Sequence, residues 1–341
     1  MYTVGHSRIL GIGTFTPANS VSSREIMEAF DSRNRFNLDP DWLERTTGIK
    51  TRRTCDSHIL PSDMATHAAR EALDHAECRP EQIDAIIYAG VMRDRVEPST
   101  AHRVQQKLAA KNAALLMDIA NACLGFMSAI HVMDSFIATG QVRHGLIITG
   151  EQGFYYTKVN IEHLRQTNDR ARFNRLVAGL TLGDAGGAML LGPKIDPKSG
   201  IMGIGTASAG EYFDLCTIEN EQSPILADMS PLFAQTEKLV RDVYFMMQGQ
   251  LGWSSDEIDL YIPHQVGLRA NKAHARTCGI DLARIPNTIS SMGNIASATI
   301  PYALAKIHQR RESKYGQKLY LSGTGSGISV AQAGVIWDAS S

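Results

Sequence analysis

The chain lacks an excess of charge of either sign, and it lacks any long apolar run. Its 341 residues include 34 lysines and arginines and 35 aspartates and glutamates, which gives a formal net charge of -1. This balance provides no general attraction for nucleic acid. No stretch approaches the roughly 18 apolar residues that a membrane-spanning helix needs. Residues 1–8 also lack the apolar centre of a secretory signal, so we predict a soluble, cytoplasmic protein.

Cysteines are few and do not form a recognisable pattern. The five cysteines include no CxxC pair and no cysteine–histidine spacing typical of a metal site, which argues against a disulfide framework or a zinc centre. Reduced thiols are the expected state in the cytosol. With 43% hydrophobic and 20% charged residues, the chain is typical of a globular protein with a large core.

Cys123 occupies a distinctive position. An apolar, strand-like run ends at Ile119, and small residues lead from it to the cysteine. Apolar residues then recur at spacings of three and four, as on a helix with one buried face: Leu124, Met127, Ile130, Met133 and Ile137. A helix should therefore begin at or near Cys123, and its unpaired N–H groups and dipole would favour the thiolate form. Taken alone, a cysteine in such a helix is most often a small core residue.

Similar segments recur in the two halves of the chain. The pattern at 81–84 returns at 256–259, and the pattern at 146–150 returns at 319–323. Each half alternates short apolar strands with helical stretches, which predicts two copies of one α/β unit, at 1–192 and 193–341. The helix that follows Cys123 would then correspond to a helix near 298–301, and the two would meet at a pseudo-twofold axis.

Two further segments change the interpretation of Cys123. They are Pro263-His264-Gln265 and Gly293-Asn294-Ile295-Ala296-Ser297, and a glycine-rich segment follows at 323–327. Alone, each is ordinary. In this order they resemble the thiolase superfamily, and within it the ketoacyl-ACP synthase III branch. The similarity runs from 10–13 and 42–49 through 182–188 to 335–337, so it covers nearly the whole chain.

The resemblance implies a five-layer αβαβα thiolase fold and a Cys-His-Asn triad. Cys123 would hold the acyl group as a thioester, and His264 and Asn294 would donate hydrogen bonds to the carbonyl of the second substrate. The backbone N–H groups of Cys123 and Ser326 would form the oxyanion hole, with Gly325 and Gly327 beside the substrate. It implies no cofactor besides the substrate itself, an acyl-CoA or the phosphopantetheine of an acyl carrier protein.

Glu97 decides between two ways of forming the attacking carbanion. A malonyl thioester loses carbon dioxide, whereas a simple acyl thioester must lose an α-proton to a base. In local sequence Glu97 is an ordinary loop carboxylate beside Arg93 and Arg95. However, Glu97-Pro98-Ser99-Thr100 resembles the segment that, in the OleA-type head-to-head condensing enzymes, supplies a base across a homodimer interface.

The resemblance therefore favours non-decarboxylative Claisen condensation of two acyl thioesters, which gives a β-keto acid. Two alternatives stay open. One is a decarboxylating 3-oxoacyl-ACP synthase III that uses malonyl-ACP, because 182–187 is more typical of that primary-metabolism branch. The other is an acyltransferase that passes the acyl group to an oxygen or nitrogen nucleophile.

Basic residues after His264 indicate where the acyl carrier would bind. Arg269, Lys272 and Arg276 are spaced three and four apart, so one helical face would be positive. Such a face suits phosphates, although it is equally typical of a solvated helix. Trp42 resembles the adenine-stacking tryptophan of the family. Arg45 and Arg52 are weaker candidates for phosphate contacts.

Overall fold

The computed structural model describes residues 1–338. The strands are β1 Tyr2–Val4, β2 Ser7–Phe15, β3 Asn19–Ser22, β4 Thr51–Thr54, β5 Ala85–Ala89, β6 Leu115–Ile119, β7 Gly145–Gln152, β8 Asp184–Pro193, β9 Gly200–Ser208, β10 Cys216–Thr217, β11 Leu226–Ala227, β12 Leu260–Pro263, β13 Lys318–Gly325 and β14 Ser329–Ile336. The helices are α1 Ser23–Ala29, α2 Ser32–Phe36, α3 Trp42–Thr47, α4 Pro61–His75, α5 Thr100–Leu108, α6 Gly125–Ala138, α7 Phe154–Arg165, α8 Arg170–Leu176, α9 Met229–Leu251, α10 Leu268–Cys278, α11 Ile289–Met292 and α12 Thr299–Gln309.

Two five-stranded mixed sheets form the framework. The first has the order β2-β8-β7-β5-β6 and the second β1-β9-β14-β13-β12. In the first, β5 pairs in parallel with β6 and with β7, and in the second β12 pairs in parallel with β13. All five residues of β5 are buried, as expected for a central strand with helices on both faces of its sheet.

The helices complete five layers. Helices α6 and α12 lie between the two sheets, and one core joins Ile147 of the first sheet to Leu321 of the second through Ile130 and Leu304 of these helices. Helices α4 and α5 cover the outer face of the first sheet. Helices α9 and α10 cover the outer side of the second sheet. This arrangement confirms the thiolase fold.

The two halves share a local feature as well as the order of four strands, β2-β8-β7-β5 in the first sheet and β9-β14-β13-β12 in the second. Ala122 and Ala296, which precede the two central helices, both have a φ of 44°, in the left-handed region that non-glycine residues rarely adopt. The division at 192/193 stays a prediction, and Tyr2–Val4 does not follow it, because this strand pairs with β9 in the second sheet.

Several strands end at one edge of this framework. Glu97, His264 and Ser326 lie in the segments that follow β5, β12 and β13, respectively, and Glu151 lies at the end of β7. Ligands in α/β proteins bind preferentially outside the carboxyl ends of strands.

No helix within residues 1–338 is both long and apolar enough to cross a membrane.

Candidate active site

Cys123 lies in a tight turn just before the central helix α6. The N–H of Leu124 donates to the carbonyl oxygen of Asn121 at 2.9 Å, and helix α6 begins at Gly125. Strand β13 approaches this turn closely at Gly325, where an added Cβ would lie 3.0 Å from the Asn121 oxygen and 3.1 Å from the Leu124 nitrogen. Glycine at this position therefore lets the 325–327 segment lie beside the nucleophile.

The surroundings of the Cys123 thiol correct one sequence prediction. Burial raises the pKa of this thiol above its ordinary value, and Glu151 and Cys216 raise it further. The helix N-terminus favours the thiolate, but desolvation opposes it and dominates here. The resting nucleophile is thus a neutral thiol rather than the expected thiolate, and its proton needs an acceptor when it attacks.

His264 can be that acceptor. It follows β12, its backbone N–H donates to the Ser322 oxygen at 2.8 Å, and its side chain is buried. Its Nδ1 lies 3.2 Å from the Oγ1 of Thr299, and that hydroxyl donates its own proton to the Ala296 oxygen at 2.9 Å. Because a hydroxyl has one proton, Nδ1–H must donate to Oγ1, which leaves Nε2 with its lone pair. Burial, with a smaller contribution from His274, lowers the pKa of His264 to about 4, so the resting ring is neutral.

Asn294 is oriented as a donor. Gly293 precedes it with a φ of 68°, and the Asn294 N–H donates to the Thr181 oxygen at 2.8 Å. The side-chain oxygen Oδ1 accepts the N–H of Ala296 at 3.0 Å. The oxygen of the amide is therefore occupied, and its NH₂ group is left to bind an oxygen of a ligand.

Local contacts bring these segments together. The turn at Ala296–Ala298, which follows Asn294, packs against α6, the helix that Cys123 precedes. Thr299, one residue further on, binds His264. Ser326 lies close enough to the Cys216 thiol to lower its pKa against the larger effect of burial, and Cys216 lies close enough to Cys123 to raise the pKa of the nucleophile. The triad segments and the glycine-rich segment thus surround one site.

Glu97 stands apart from this group. It is exposed, and within residues 1–338 its carboxylate has no hydrogen bond or ion pair. The chain alone therefore does not bring Glu97 into hydrogen-bonding contact with Cys123, His264 or Asn294. The base of its loop is held near the site, however, because the N–H groups of Val91 and Met92 donate to Glu151.

The outer candidates have different outcomes. The Trp42 ring is half-buried and contacts Phe173 with ring centroids 5.4 Å apart, and its stacking role stays a prediction. Arg269 is exposed, together with Lys272 and Arg276, and none of the three has an ion pair within residues 1–338. Gly327 has a φ of 132° and forms a cis peptide bond with Ile328.

Arg52 is not a phosphate ligand. Its guanidinium is fully buried and donates to the hydroxyl of Ser23 and to the carbonyl oxygen of Leu180, each at 3.1 Å. Desolvation lowers its pKa to about 9. The candidate phosphate contact at Arg52 is therefore wrong. Arg45 is exposed, and its Nη1 lies 3.8 Å from Oδ1 of Asp39, so its phosphate contact stays a prediction.

Sequence reasoning missed two residues of the site, Glu151 and Cys216. Glu151 follows the apolar run at 146–148 by three residues, and a carboxylate at a strand end is a signal that could have been used. Nothing in the sequence indicates that Cys216 lies beside Cys123.

No group of three or more metal-ligating side chains occurs within residues 1–338. The absence of a cofactor stays a prediction.

The family follows from comparison with known proteins. The model of 3-oxoacyl-[acyl-carrier-protein (ACP)] synthase III matches residues 117–210, and the model of that family's C-terminal part matches residues 249–337. The chain therefore belongs to the ketoacyl-ACP synthase III-like condensing enzymes of the thiolase superfamily. It is an acyltransferase that condenses acyl thioesters.

Particular relatives match along almost the full chain. An acyl-CoA:acyl-CoA alkyltransferase of Xanthomonas campestris is 29% identical over 333 residues, which cover 96% of this chain and 98% of the relative. A β-ketoacyl-ACP synthase III of Oceanobacillus iheyensis is also 29% identical over 333 residues, with the same coverage. The cerulenin-bound structure of Xanthomonas campestris OleA superimposes with a TM-score of 0.92 at 29% identity, over 98% of both chains.

Proposed function

We propose that this enzyme joins two acyl thioesters without decarboxylation and that Glu97 removes the α-proton of the second one. The observation that carries the proposal is the exposed, unpaired carboxylate of Glu97 on a loop whose base is bound at the site through Glu151. A carboxylate without a partner among residues 1–338 is available to a site on a second subunit. A reaction with malonyl thioesters would need no such base.

Relatives support this choice. The Xanthomonas campestris enzyme that matches is an acyl-CoA:acyl-CoA alkyltransferase, and one OleA structure, of a cysteine-to-serine variant, holds lauric acid and lauroyl-CoA. Other OleA structures have a cysteine, a histidine or a glutamate replaced. In that protein the glutamate precedes the cysteine by the same number of residues that separate Glu97 from Cys123.

The first half-reaction forms the acyl-enzyme. The Cys123 thiol gives its proton to Nε2 of His264 and attacks the carbonyl carbon of an acyl-CoA. The N–H groups of Cys123 and Ser326 stabilise the oxyanion, and the carbon–sulfur bond to CoA then breaks. CoA leaves as a thiolate, the acyl group stays on Cys123, and His264 remains protonated on both nitrogens.

The second half-reaction forms the carbon–carbon bond. The carbonyl oxygen of the second acyl thioester accepts hydrogen bonds from Nε2–H of His264 and from the NH₂ of Asn294. Glu97 takes the α-proton, and the resulting enolate attacks the acyl-enzyme carbonyl. Cys123 leaves as a thiolate and regains its proton from His264, while the Glu97 proton passes to solvent and balances the CoA thiolate. Hydrolysis of the product thioester gives the β-keto acid.

A homodimer would complete the site. Strand β6 is the edge of the first sheet, and all five of its residues are only half-buried although four of them are apolar. Such an edge is suited to pairing with a second copy. Glu97 lies on the loop after β5, the neighbour of β6. In this arrangement Glu97 of each subunit serves the Cys123 of the other.

We infer the substrate surface from charge and shape. The exposed face of α10 with Arg269, Lys272 and Arg276 would bind the phosphates of CoA or an acidic acyl carrier protein. A groove of about 960 Å³ lies next to it, bordered by Leu268 and Lys50. Trp42 adjoins Asp41, which lines this groove. Gly325 and Gly327 belong to the segment that approaches the Cys123 turn, and they would bind the acyl thioester there. The five free cysteines suit a reducing, cytoplasmic setting.

A decarboxylating ketoacyl-ACP synthase III is the second candidate, because relatives with that activity are as similar, at 29% identity. Product analysis by mass spectrometry separates the two. The purified enzyme receives myristoyl-CoA alone or myristoyl-CoA with malonyl-CoA or malonyl-ACP, beside Cys123→Ala. A β-keto acid, or the ketone from its decay, with myristoyl-CoA alone supports our proposal. Condensation only with a malonyl thioester would favour the second candidate.

A further inference from the structure

Glu151 is a buried carboxylate that the reaction described above does not use. It lies at the carboxyl end of β7 with 1% of its surface exposed. Its Oε1 accepts the N–H of Val91 at 3.0 Å, the N–H of Ser297 at 3.3 Å and the hydroxyl of Ser297 at 2.5 Å. Its Oε2 accepts the N–H of Met92 at 3.3 Å. Burial of an ionised carboxylate is costly unless its oxygens accept hydrogen bonds, as those of Glu151 do.

The two segments that Glu151 holds are those of Glu97 and Asn294. Val91 and Met92 form the base of the loop that leads to Glu97. Tyr88 also contacts this base, because its hydroxyl lies within hydrogen-bonding distance of the carbonyl oxygens of Met92 and Gly150.

Ser297 ends the turn in which the N–H of Ala296 fixes the amide oxygen of Asn294. One carboxylate therefore connects the proposed base to the proposed enolate donor. Without it, the two segments would have no hydrogen-bonded link through the end of β7.

The charge of Glu151 also reaches the nucleophile. Cys123, Tyr88 and Tyr156 are the titratable groups that face it; burial is the main reason why the pKa of each is raised, and the negative carboxylate adds to the rise. Burial raises the pKa of Glu151 itself to about 7, while its hydrogen bonds act in the opposite direction. Oε1 already accepts three donors, so an added proton would sit on Oε2 and would displace the Met92 N–H.

We propose that Glu151 is a positioning residue for the condensation step, whose ionised carboxylate holds the Glu97 loop and the Asn294 turn in one fixed arrangement beside Cys123. This proposal rests on the roles proposed above for Glu97 and Asn294. It predicts that protonation of Glu151 loosens the Glu97 loop and slows condensation, whereas acylation of Cys123 uses neither the Glu97 carboxylate nor the Asn294 amide and depends on the arrangement less.

The test uses the full-length enzyme with Glu151→Gln, which keeps the shape of the side chain and removes its charge. Ser297→Ala, which removes the shortest of the four hydrogen bonds, is the second variant. Glu162→Gln, at an exposed carboxylate of α7, is the matched control. Three quantities are measured from pH 5.5 to 9: formation of the acyl-enzyme by intact mass, condensation, and alkylation of Cys123 by iodoacetamide.

For Glu151→Gln we expect condensation to fall at least tenfold more than acylation, and we expect a limb near pH 7 in the condensation profile to disappear. Alkylation of Cys123 should move to lower pH, because the carboxylate no longer opposes thiolate formation. A purely structural role would slow both half-reactions together without moving either profile. Ser297→Ala should lower condensation in the same direction by a smaller factor.

Equal losses in both half-reactions with unchanged pH profiles would overturn the proposal, and so would wild-type condensation in both variants. Condensation is measured both with acyl-CoA alone and with malonyl-CoA. If Glu97→Ala condenses like the wild type while Glu151→Gln and Ser297→Ala lose malonyl-dependent condensation selectively, the assignment of Glu97 is wrong but the role of Glu151 at the Asn294 turn stands.

Discussion

The Nδ1 atom of His264 lies 3.2 Å from Oγ1 of Thr299, and that hydroxyl already donates to the carbonyl oxygen of Ala296. Thr299 therefore accepts from Nδ1–H and selects the tautomer in which Nε2 can take the Cys123 proton. In this family of reactions the imidazole must be an acceptor first and a donor later. The contact with Thr299 sets the first of these states without a charged neighbour.

Replacement of Thr299 by valine keeps the size of the side chain but removes the acceptor. The buried Nδ1–H then lacks a partner, which costs about 1–3 kcal/mol and removes the preference for this tautomer. Acylation of Cys123 should slow by roughly tenfold, and Thr299→Ser, which keeps the hydroxyl, should restore it. Nitrogen NMR shifts of the His264 ring report the tautomer directly. Unchanged shifts and acylation in the valine variant would contradict this role.

Asn294→Ala should separate the two half-reactions. The amide donates to the enolate oxygen, so its loss should slow condensation by about 10²–10³-fold, or about 2.7–4 kcal/mol. The acyl-enzyme should still form and accumulate, since acylation uses other donors. Intact-mass measurement during turnover detects it. Asn34→Ala, at an exposed asparagine of α2, is the control. Failure to form the acyl-enzyme would place Asn294 in the first step instead.

The buried histidines predict acid sensitivity of the fold. Burial lowers the pKa of His264 and that of His274 to about 4 from an ordinary 6.5. Between pH 6.5 and pH 4 the unfolded chain therefore binds more protons than the folded chain. The stability that the two neutral histidines contribute is present above pH 6.5 and is lost as the pH falls toward 4. Glu151 and Asp184 act oppositely, since burial raises the pKa of these carboxyls to about 7 and about 6.

A variant isolates one of these contributions. The destabilisation caused by His274→Gln should shrink by on the order of 2–3 kcal/mol between pH 7 and pH 4.5, because the variant lacks the acid-labile group. Urea unfolding at several pH values measures it, with His58→Gln at an exposed histidine as the control substitution. A pH-independent difference would mean that His274 is not held neutral by the fold.

Much of the site could be predicted because its elements have local signals. The helix after Cys123 begins at Gly125 and the strand before His264 ends at Pro263, close to where the periodicity places them. The charge state of Cys123 could not be predicted, because burial is set by segments far away in the chain. Arg52 failed as a phosphate ligand for the same reason: nothing local indicates that its guanidinium is enclosed. Glu151 acts through partners 60 and 146 residues away.

Charge reversal on α10 tests the substrate surface. Arg269→Glu and Lys272→Glu place a negative charge where phosphates are expected, so the KM for acyl-CoA should rise about fivefold or more, with little change in kcat. The increase should be smaller at high salt, which screens exposed charges. Arg143→Glu, at an exposed arginine before β7 and thus at the other end of the sheet, is the control. Equal effects of all three variants would exclude a specific surface.

The most direct test of the account is the condensation rate of myristoyl-CoA alone by co-expressed Cys123→Ala and Glu97→Ala chains. Each variant alone should fail to condense, although Glu97→Ala should still form its acyl-enzyme. Random pairing places one complete site in each mixed dimer, so the mixture should recover about a quarter of the wild-type rate if Glu97 serves the other subunit. No recovery, or normal condensation by Glu97→Ala alone, would contradict the proposal that Glu97 is the base acting across a dimer.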